Sequence, residues 1–587
     1  MTDYRREGAY QLRLSAARKA KDREHPPHQA NGDEQRWAGA NYAMCFTKGL
    51  HHDPGTGLLQ VKADFERFRR AIDEGFIDAF TAGVRASPEK ARAWEAPTAG
   101  VVYDLQGPDA QAVTMPPAPA LGSDELAYEM AEVYELALLR DVPLPELRAG
   151  ATDPAVTAAV GRLDALTYAQ DGFPGRPRTT EGGSVTARTL FRGSSPGVEV
   201  GPYLSQFMLI GNDQPEPGGS GVADGYIQYG PLRIDQRVPV AETQDYMTDW
   251  GDWLAVQNGA DVRNNADLFS GAPRRFITTP RDLATYVHDD ALYQAYLNAC
   301  LILLSMEAPF DPGFGHLSGQ SPFFLNSLDA TGVLADILET HPSAAGGFAL
   351  YGGPHILTLV TEVATRALKA VRYQKFNTHI RLRPETLAGR IHRAAEIQTA
   401  FPQVGTVFED LEGAIQDTVN AIRAANGSGS ALLPMAFQEG SPMHPAYGAG
   451  HATVAGACVT ILKAYFDTNA VFVRRDARDR FALYENGDTA VHYEPETTPG
   501  SLGASLDERL DGDFLTLEGE LNKLAANISI GRNMAGVHYY SDYYDSLRMG
   551  ERIAIAMLEE QALCYPTDPF VLTVPTFDGD VVRIGAR

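Results

Sequence analysis

Residues 352–384 read GGPHILTLVTEVATRALKAVRYQKFNTHIRLRP, and their patterning decides the fold class. From Pro354 to Lys375 apolar side chains recur every three or four residues, the spacing of one buried face on an α-helix. The same rhythm returns at Leu126–Leu139, Asp153–Ala169, Asp282–Met306 (nearly continuous), His451–Phe466, Leu515–Ile530 and Ser546–Cys564. Five or more such segments after residue 282 imply a helical bundle. Residues 172–240 differ: they are rich in Gly and Pro with short alternating apolar stretches, as in GYIQYGPLRIDQRVPV. That texture predicts long loops and a β-hairpin rather than a separate domain. No solenoid repeat, heptad array or clean linker appears. The expected architecture is mainly α, in one continuous body, with an irregular half over 1–281 and a helical half over 282–587.

Composition narrows the function. Asp and Glu number 75 against 50 Lys and Arg, a formal charge of −25 that argues against nucleic acid and anionic membrane as partners. If the ligand is an anion, a local cationic pocket must overcome that field. No apolar run reaches eighteen residues, so no membrane span is expected. The charged opening, MTDYRREGAYQLRLSAARKAKDREHPPHQ, does not have the apolar centre of a Sec signal. This points to a cytoplasmic protein or one exported by a non-classical route. The four cysteines, Cys45, Cys300, Cys458 and Cys564, form no CxxC pair and read as free buried thiols.

Three segments of the helical half carry chemistry. In the first, Lys375, His379, Arg381 and Arg383 place four cations or potential cations within nine residues. Pro384 pushes Arg383 out of helical geometry, so the segment is expected to leave its helix and bend across a pocket. A solvated basic helix end is the bland alternative. The second segment runs from His444 to His451 through Gly448, Ala449 and Gly450, then enters an apolar helix. Its unpaired N–H groups and helix dipole make an anion site. In the third, Arg532 precedes His538, and Asp542 follows four later, on one face if helical. A carboxylate there can hold one ring nitrogen and leave the other to bind a metal or attack. Alone each is weak. In this order, Lys-x7-Arg-Pro, Gly-x-Gly-His and Arg-x5-His-x3-Asp describe one cationic oxyanion pocket with two histidines.

That signature resembles the one shared by vanadate haloperoxidases and type 2 phosphatidic acid phosphatases. The wider sequence resembles the red-algal-type vanadium bromoperoxidases across nearly its whole length. Stretches that carry the likeness include FTKGL (46–50), GPDAQAVTMPPAP (107–119), EVGPYLSQF (199–207), RDLATYVHDDALYQAYLNACLILL (281–304), LLPMAFQEGSPMHPAYGAGH (432–451) and IGRNMAGVHYYSD (530–542). The gap of seven between Lys375 and Arg383 also suits bromoperoxidases.

The resemblance implies two helical bundles with minor β-hairpins, and a vanadate cofactor with His538 as its one protein ligand, oriented by Asp542. Arg383, Arg532 and the Gly450 N–H would neutralise the oxyanion, with Ala449 and His451 lining it. Lys375 would polarise a bound peroxide oxygen toward halide, His451 would move protons, and His444 and Arg372 would lie at the halide rim. Hydrogen peroxide, bromide or iodide and an organic acceptor are the implied substrates. A large, dodecamer-like homo-oligomer is implied too, with its contacts in the N-terminal half. Rival readings are an acid phosphatase with His538 as nucleophile and a catalytically weakened oxyanion binder.

Two departures stand out. The family usually has Ser between the two glycines, where this chain has Ala449. The missing hydroxyl should cost about 1.5–3 kcal/mol of vanadate binding unless water replaces it. In the region comparable to the family's calcium loop, 310–332, only Asp311 and Asp329 are carboxylates. That is few for an ion that takes six to eight oxygens.

Overall fold

The computed structural model describes residues 4–150, 153–167, 175–212, 221–241, 243–263, 272–288, 290–313, 348–510, 512–565 and 570–585. Helices dominate, and four of them build the centre: Gly353–Tyr373, Gly450–Tyr465, Leu517–Met534 and Tyr540–Ala562. The 450–465 helix is the hub, packing against the other three. Its sequence, GHATVAGACVTILKAY, is small or apolar almost all round, and every residue from Ala452 to Tyr465 is buried. A helix of that kind is stable only when enclosed on all sides. Its approach to the 540–562 helix depends on two glycines: a Cβ at Gly456 would overlap the Leu547 carbonyl, and one at Gly550 the Thr453 carbonyl.

The N-terminal half is woven into the same core. The Asp124–Leu138 helix, capped by Ser123 Oγ accepting from Leu126 N–H at 3.2 Å, packs against the 517–534 helix and against Gln416–Ala425. One apolar cluster runs from Trp37 through Leu136 and Val454 to Ile584. By contrast, the Tyr4–Lys21 helix buries none of its residues.

The expected hairpin in 225–240 is present, with Tyr226–Tyr229 antiparallel to Leu232–Asp235. Further short hairpins decorate the helical half, at Val471–Arg475 with Arg478–Ala482 and at Val571–Pro575 with Val581–Gly585. Two expectations need correction. The near-continuous helix over 282–306 is broken into Pro280–Tyr286 and Gln294–Ser305. The intervening turn turns the Val287 carbonyl and the Asp290 carboxylate toward the pocket, contacts a straight helix could not make. Cys45, Cys300 and Cys458 are free and buried, but Cys564, beyond the end of its helix, is exposed. No helix among the described residues is long and apolar enough to cross a membrane.

Candidate active site: a buried cationic pocket

The pocket lies where the central helices begin and end. The 353–373 helix runs into a π-turn, Gln374–His379, which carries Lys375. Ile380 then takes a left-handed conformation (φ 42°), and the chain reverses toward Arg383. Arg383 is extended (φ −85°, ψ 159°) and caps the helix that Pro384 opens, as the proline demands. Ala449 occupies the N-cap of the 450–465 helix, Arg532 the last turn of the 517–534 helix, and His538 the turn before the 540–562 helix. His538 and Asp542 are therefore not stacked on one helix face as expected. Asp542 is the third residue of its helix and reaches back, its Oδ2 accepting from His538 Nδ1–H at 2.8 Å and from Tyr539 N–H at 3.1 Å.

Three buried cations converge here, and their partners are neutral. Lys375 Nζ donates to the carbonyls of Pro445 (2.8 Å) and Ala446 (3.0 Å). Arg383 donates to the carbonyls of His444 (2.9 Å) and Val537 (2.8 Å), to His444 Nδ1 (2.7 Å) and to His538 Nε2 (3.0 Å). Arg532 donates to the Val287 carbonyl at 2.7 Å, and its buried Nε finds no partner. Among the described residues, no carboxylate lies within ion-pair distance of any of the three. Burial, followed by the nearby guanidinium groups of Arg383 and Arg372, pushes the Lys375 ammonium well below its ordinary pKa. Burial likewise lowers Arg383 and Arg532. Buried charges without counter-ions are costly, so this is a site that favours an incoming anion.

The histidines have fixed tautomers. A guanidinium only donates and a carboxylate only accepts, so His538 holds its proton on Nδ1 toward Asp542 and a lone pair on Nε2. Burial and the surrounding cations hold its pKa well below the ordinary value, keeping the imidazole neutral as a metal ligand must be. His444 Nδ1 lies 2.7 Å from the Arg383 guanidinium and 3.1 Å from the Pro445 carbonyl; the shorter contact, to a group that only donates, favours a lone pair on Nδ1 and the proton on Nε2. His451 Nε2–H donates to Asp290 Oδ1 at 2.9 Å. Burial lowers the His451 pKa and Asp290 opposes the shift. Asp290 also lines a polar cavity of about 570 Å³ shared with Arg237, Thr285 and Gln294.

The helix N-terminus is open. Ala449 has no side-chain oxygen to cap it. The Ala449 N–H is itself taken by Ser546 Oγ at 2.8 Å. A Cβ built on Gly450 would meet nothing closer than Leu368 Cδ2 at 3.9 Å, so the helix start has open space beside it. The donor set therefore fits a tetrahedral or trigonal-bipyramidal oxyanion such as vanadate: three cations, an uncapped helix start, and one imidazole lone pair for the metal.

Every residue singled out from sequence except His379 and Arg381 faces this pocket or its rim. His379 turns away to Gln374 and the Tyr447 ring, and Arg381 pairs with Glu129 and Asp542. Arg372 reaches the rim, 3.9 Å from Glu95. Sequence reasoning missed Asp290, hidden in what read as a helix, together with Glu95, Ser546 and Glu129, which carry no motif. Of the calcium region, residues 314–332 lie outside the described residues. Asp311 is described, buried, and accepts from Gly313 N–H at 2.7 Å.

The chain is similar to known proteins over nearly its whole length. The chain is 40% identical to the vanadium-dependent bromoperoxidases of Corallina officinalis and Corallina pilulifera, over 99% of its length and 98% of theirs. It is 31% identical to the vanadium-dependent bromoperoxidase of Ascophyllum nodosum, over 98% of its own length and 92% of that protein's. Residues 405–564 match the model of the VCPO second helical-bundle domain. In fold, the chain is similar to the homohexameric second vanadate-dependent bromoperoxidase of Ascophyllum nodosum, with a TM-score of 0.73 at 24% identity, covering 99% of this chain and 90% of that one.

Proposed function

The chain belongs to the vanadium-dependent bromoperoxidases, and from that premise we propose that its pocket binds vanadate and uses hydrogen peroxide to oxidise bromide. Two electrons pass from bromide to the peroxide O–O bond, and a proton is taken up, giving hypobromous acid and water. Bound vanadate supplies Lewis acidity without changing its oxidation state, making peroxide electrophilic. The observation that carries the reading is the trio of buried cations with no carboxylate at ion-pair distance among the described residues, set against a histidine whose Nε2 lone pair is fixed.

The residues divide the work. His538 Nε2 would ligate the metal, held in orientation by Asp542. Arg383, Arg532 and the N–H groups at Gly450 would neutralise the oxyanion, and the Lys375 ammonium would draw electron density from the oxygen that bromide attacks. His451, with its proton on Nε2 toward Asp290, has Nδ1 free to take a proton from incoming peroxide and return it. The cavity on the far side of Asp290 gives that pair its own route to solvent. His444 and Arg372 would shape the halide entrance.

The relatives favour halide oxidation over the phosphatase reading, although the shared pocket makes phosphate a competitor. The test is halogenation of a β-diketone by metal-stripped protein, with and without orthovanadate. Bromide-dependent turnover that requires vanadate and is suppressed by phosphate is expected. Phosphomonoester hydrolysis without halogenation would overturn the reading.

The division into an irregular half over 1–281 and a pocket-bearing half over 282–587 is organisational, since one core joins them. We assign subunit contacts to the first half. The Tyr4–Lys21 helix supports this: it buries none of its residues and carries six Arg or Lys against Glu7 alone, on a chain of net charge −25. A second, acidic copy is a fitting partner for it. A monomer mass by light scattering would count against this assembly.

A further inference from the structure

Glu95 is contributed by the N-terminal half and reaches the mouth of the pocket. Its backbone N–H donates to the Met443 carbonyl at 3.1 Å, and its Oε1 accepts from the Met443 N–H at 3.1 Å. These bonds fix the side chain against the 441–450 loop. Its other oxygen, Oε2, lies 3.4 Å from His444 Nε2 and 3.9 Å from Arg372. The 2.7 Å contact of Arg383 with His444 Nδ1, shorter than the 3.1 Å from that nitrogen to the Pro445 carbonyl, favours the His444 proton on Nε2. Oε2 therefore faces two donors, an imidazole N–H and a guanidinium, each on a side chain that is largely buried.

A halide needs the same two donors. It has no directional bonding of its own and settles where N–H groups and positive charge converge at the edge of an apolar wall. Glu95 presents a carboxylate oxygen at that point, and its side chain is 42% exposed. It is thus able to swing into solvent without being drawn from a closed core.

We propose that Glu95 determines halide affinity as an internal competitor: its carboxylate lies against the His444–Arg372 pair, and bromide must displace it to reach the pocket. The proposal rests on the bromoperoxidase reading and adds a specificity residue to it. Glu95 is not within ion-pair distance of Lys375, Arg383 or Arg532, and its charge reaches them only at longer range. It acts on the reaction through the entry site, so its signature is in KM for halide.

The structure supplies a variant that separates this role from a structural one. In E95Q the amide oxygen still accepts from the Met443 N–H, so the loop anchor survives. The amide nitrogen then faces two donors and cannot accept from either, which frees both. Removing one partly screened negative charge at this distance is expected to lower KM for bromide by about three- to tenfold. The change in kcat should be smaller, and chloride should become a measurable competitor. Loss of the anchor as well, in E95A, should loosen the loop and raise KM for peroxide alongside the halide effect.

Bromide-81 NMR line broadening on the metal-free proteins reads halide exchange at the rim without turnover. Stronger broadening by E95Q than by the native protein, relieved by phosphate, is the expected result. Unchanged or weaker broadening, or a bromide KM that stays level or rises in an active E95Q enzyme, would overturn the role of Glu95. A native enzyme inactive toward bromide would instead sink the bromoperoxidase reading, and the NMR comparison would still decide whether Glu95 competes with halide.

Discussion

Arg381 and Arg383 are two residues apart, both are buried, and they are neutralised by opposite means. Arg381 donates to Glu129, 252 residues earlier in the chain, and to Asp542 and Ser541 at 2.9 Å each. Among the described residues, Arg383, Lys375 and Arg532 donate to carbonyls and imidazoles, with carboxylates such as Asp542 and Asp290 acting on them only at longer range. Lys48 with Glu385 and Lys523 with Glu520 follow the first pattern. In these pairs the chain supplies the carboxylate itself, although the buried Arg390, away from the pocket, donates to the Ala43 and Gly57 carbonyls instead. Where the cation serves a ligand, the counter-ion is left for solution to provide. Asp542 links the two regions, since one oxygen holds Arg381 and the other holds His538.

The largest effect should come from breaking the first pattern. R381M leaves Glu129 and Asp542 buried without a cation, which should cost about 3–5 kcal/mol of unfolding free energy in urea titrations. It should also release His538. R532M tests the second pattern. Arg532 donates to the Val287 carbonyl and has an unpartnered Nε, and methionine removes a desolvated charge of similar volume. Stability of the vanadate-free protein should therefore change by no more than about 1 kcal/mol. Its vanadate affinity should fall by about one to two decades, and the rise in Tm that orthovanadate gives the native protein should shrink with it. An R532M protein as unstable as R381M would erase the contrast, because it would mean that the pocket's charge is compensated internally.

The sorting of these cations was only half legible in the sequence. Lys375, Arg383, Arg532 and His538 could be read as one pocket because their order and spacing form a compound motif. The cluster 375–383 also contained His379 and Arg381, and nothing local separates them from the pocket members. What separates them is Glu129 for Arg381 and Gln374 and Tyr447 for His379, partners set by tertiary packing. The helical rhythm located the bundle well, yet it ran straight through 287–293. The break there is fixed by what the turn must reach, Arg532 and His451, rather than by any Gly or Pro.

A smaller test sharpens the idea that the helix start at Gly450 is left for a ligand. Ala449 gives that helix no cap, so A449S should do two things. In vanadate-free protein the new hydroxyl can cap the helix, adding about 0.5–2 kcal/mol of stability. With vanadate bound, it adds a donor to the oxyanion, tightening binding by up to about two decades. The two gains compete for one hydroxyl. Affinity should therefore rise by less than the donor alone would give, and calorimetric titration against thermal unfolding can apportion them. If affinity does not move at all, the Ala449 side chain does not face the bound anion.

The finest test concerns protons. Burial pulls the His451 pKa below its ordinary 6.5, and Asp290 pulls it back up. In D290N the amide oxygen can still accept from His451 Nε2–H, so the ring keeps its orientation. The charge that stabilised the imidazolium is gone, so the pKa must fall further. His451 has to be neutral to take a proton from peroxide, and it is lost to that role as pH drops through its pKa. The acid limb of kcat/KM for peroxide should therefore move to lower pH in D290N, with a modest change near neutrality. A limb that stays in place would assign the titration to another group, and His451 would then be a pocket wall rather than the proton carrier. A limb that moves upward would mean that Asp290 is not the partner setting the pKa, and the contrast between internally and externally paired groups would have to be redrawn at this histidine.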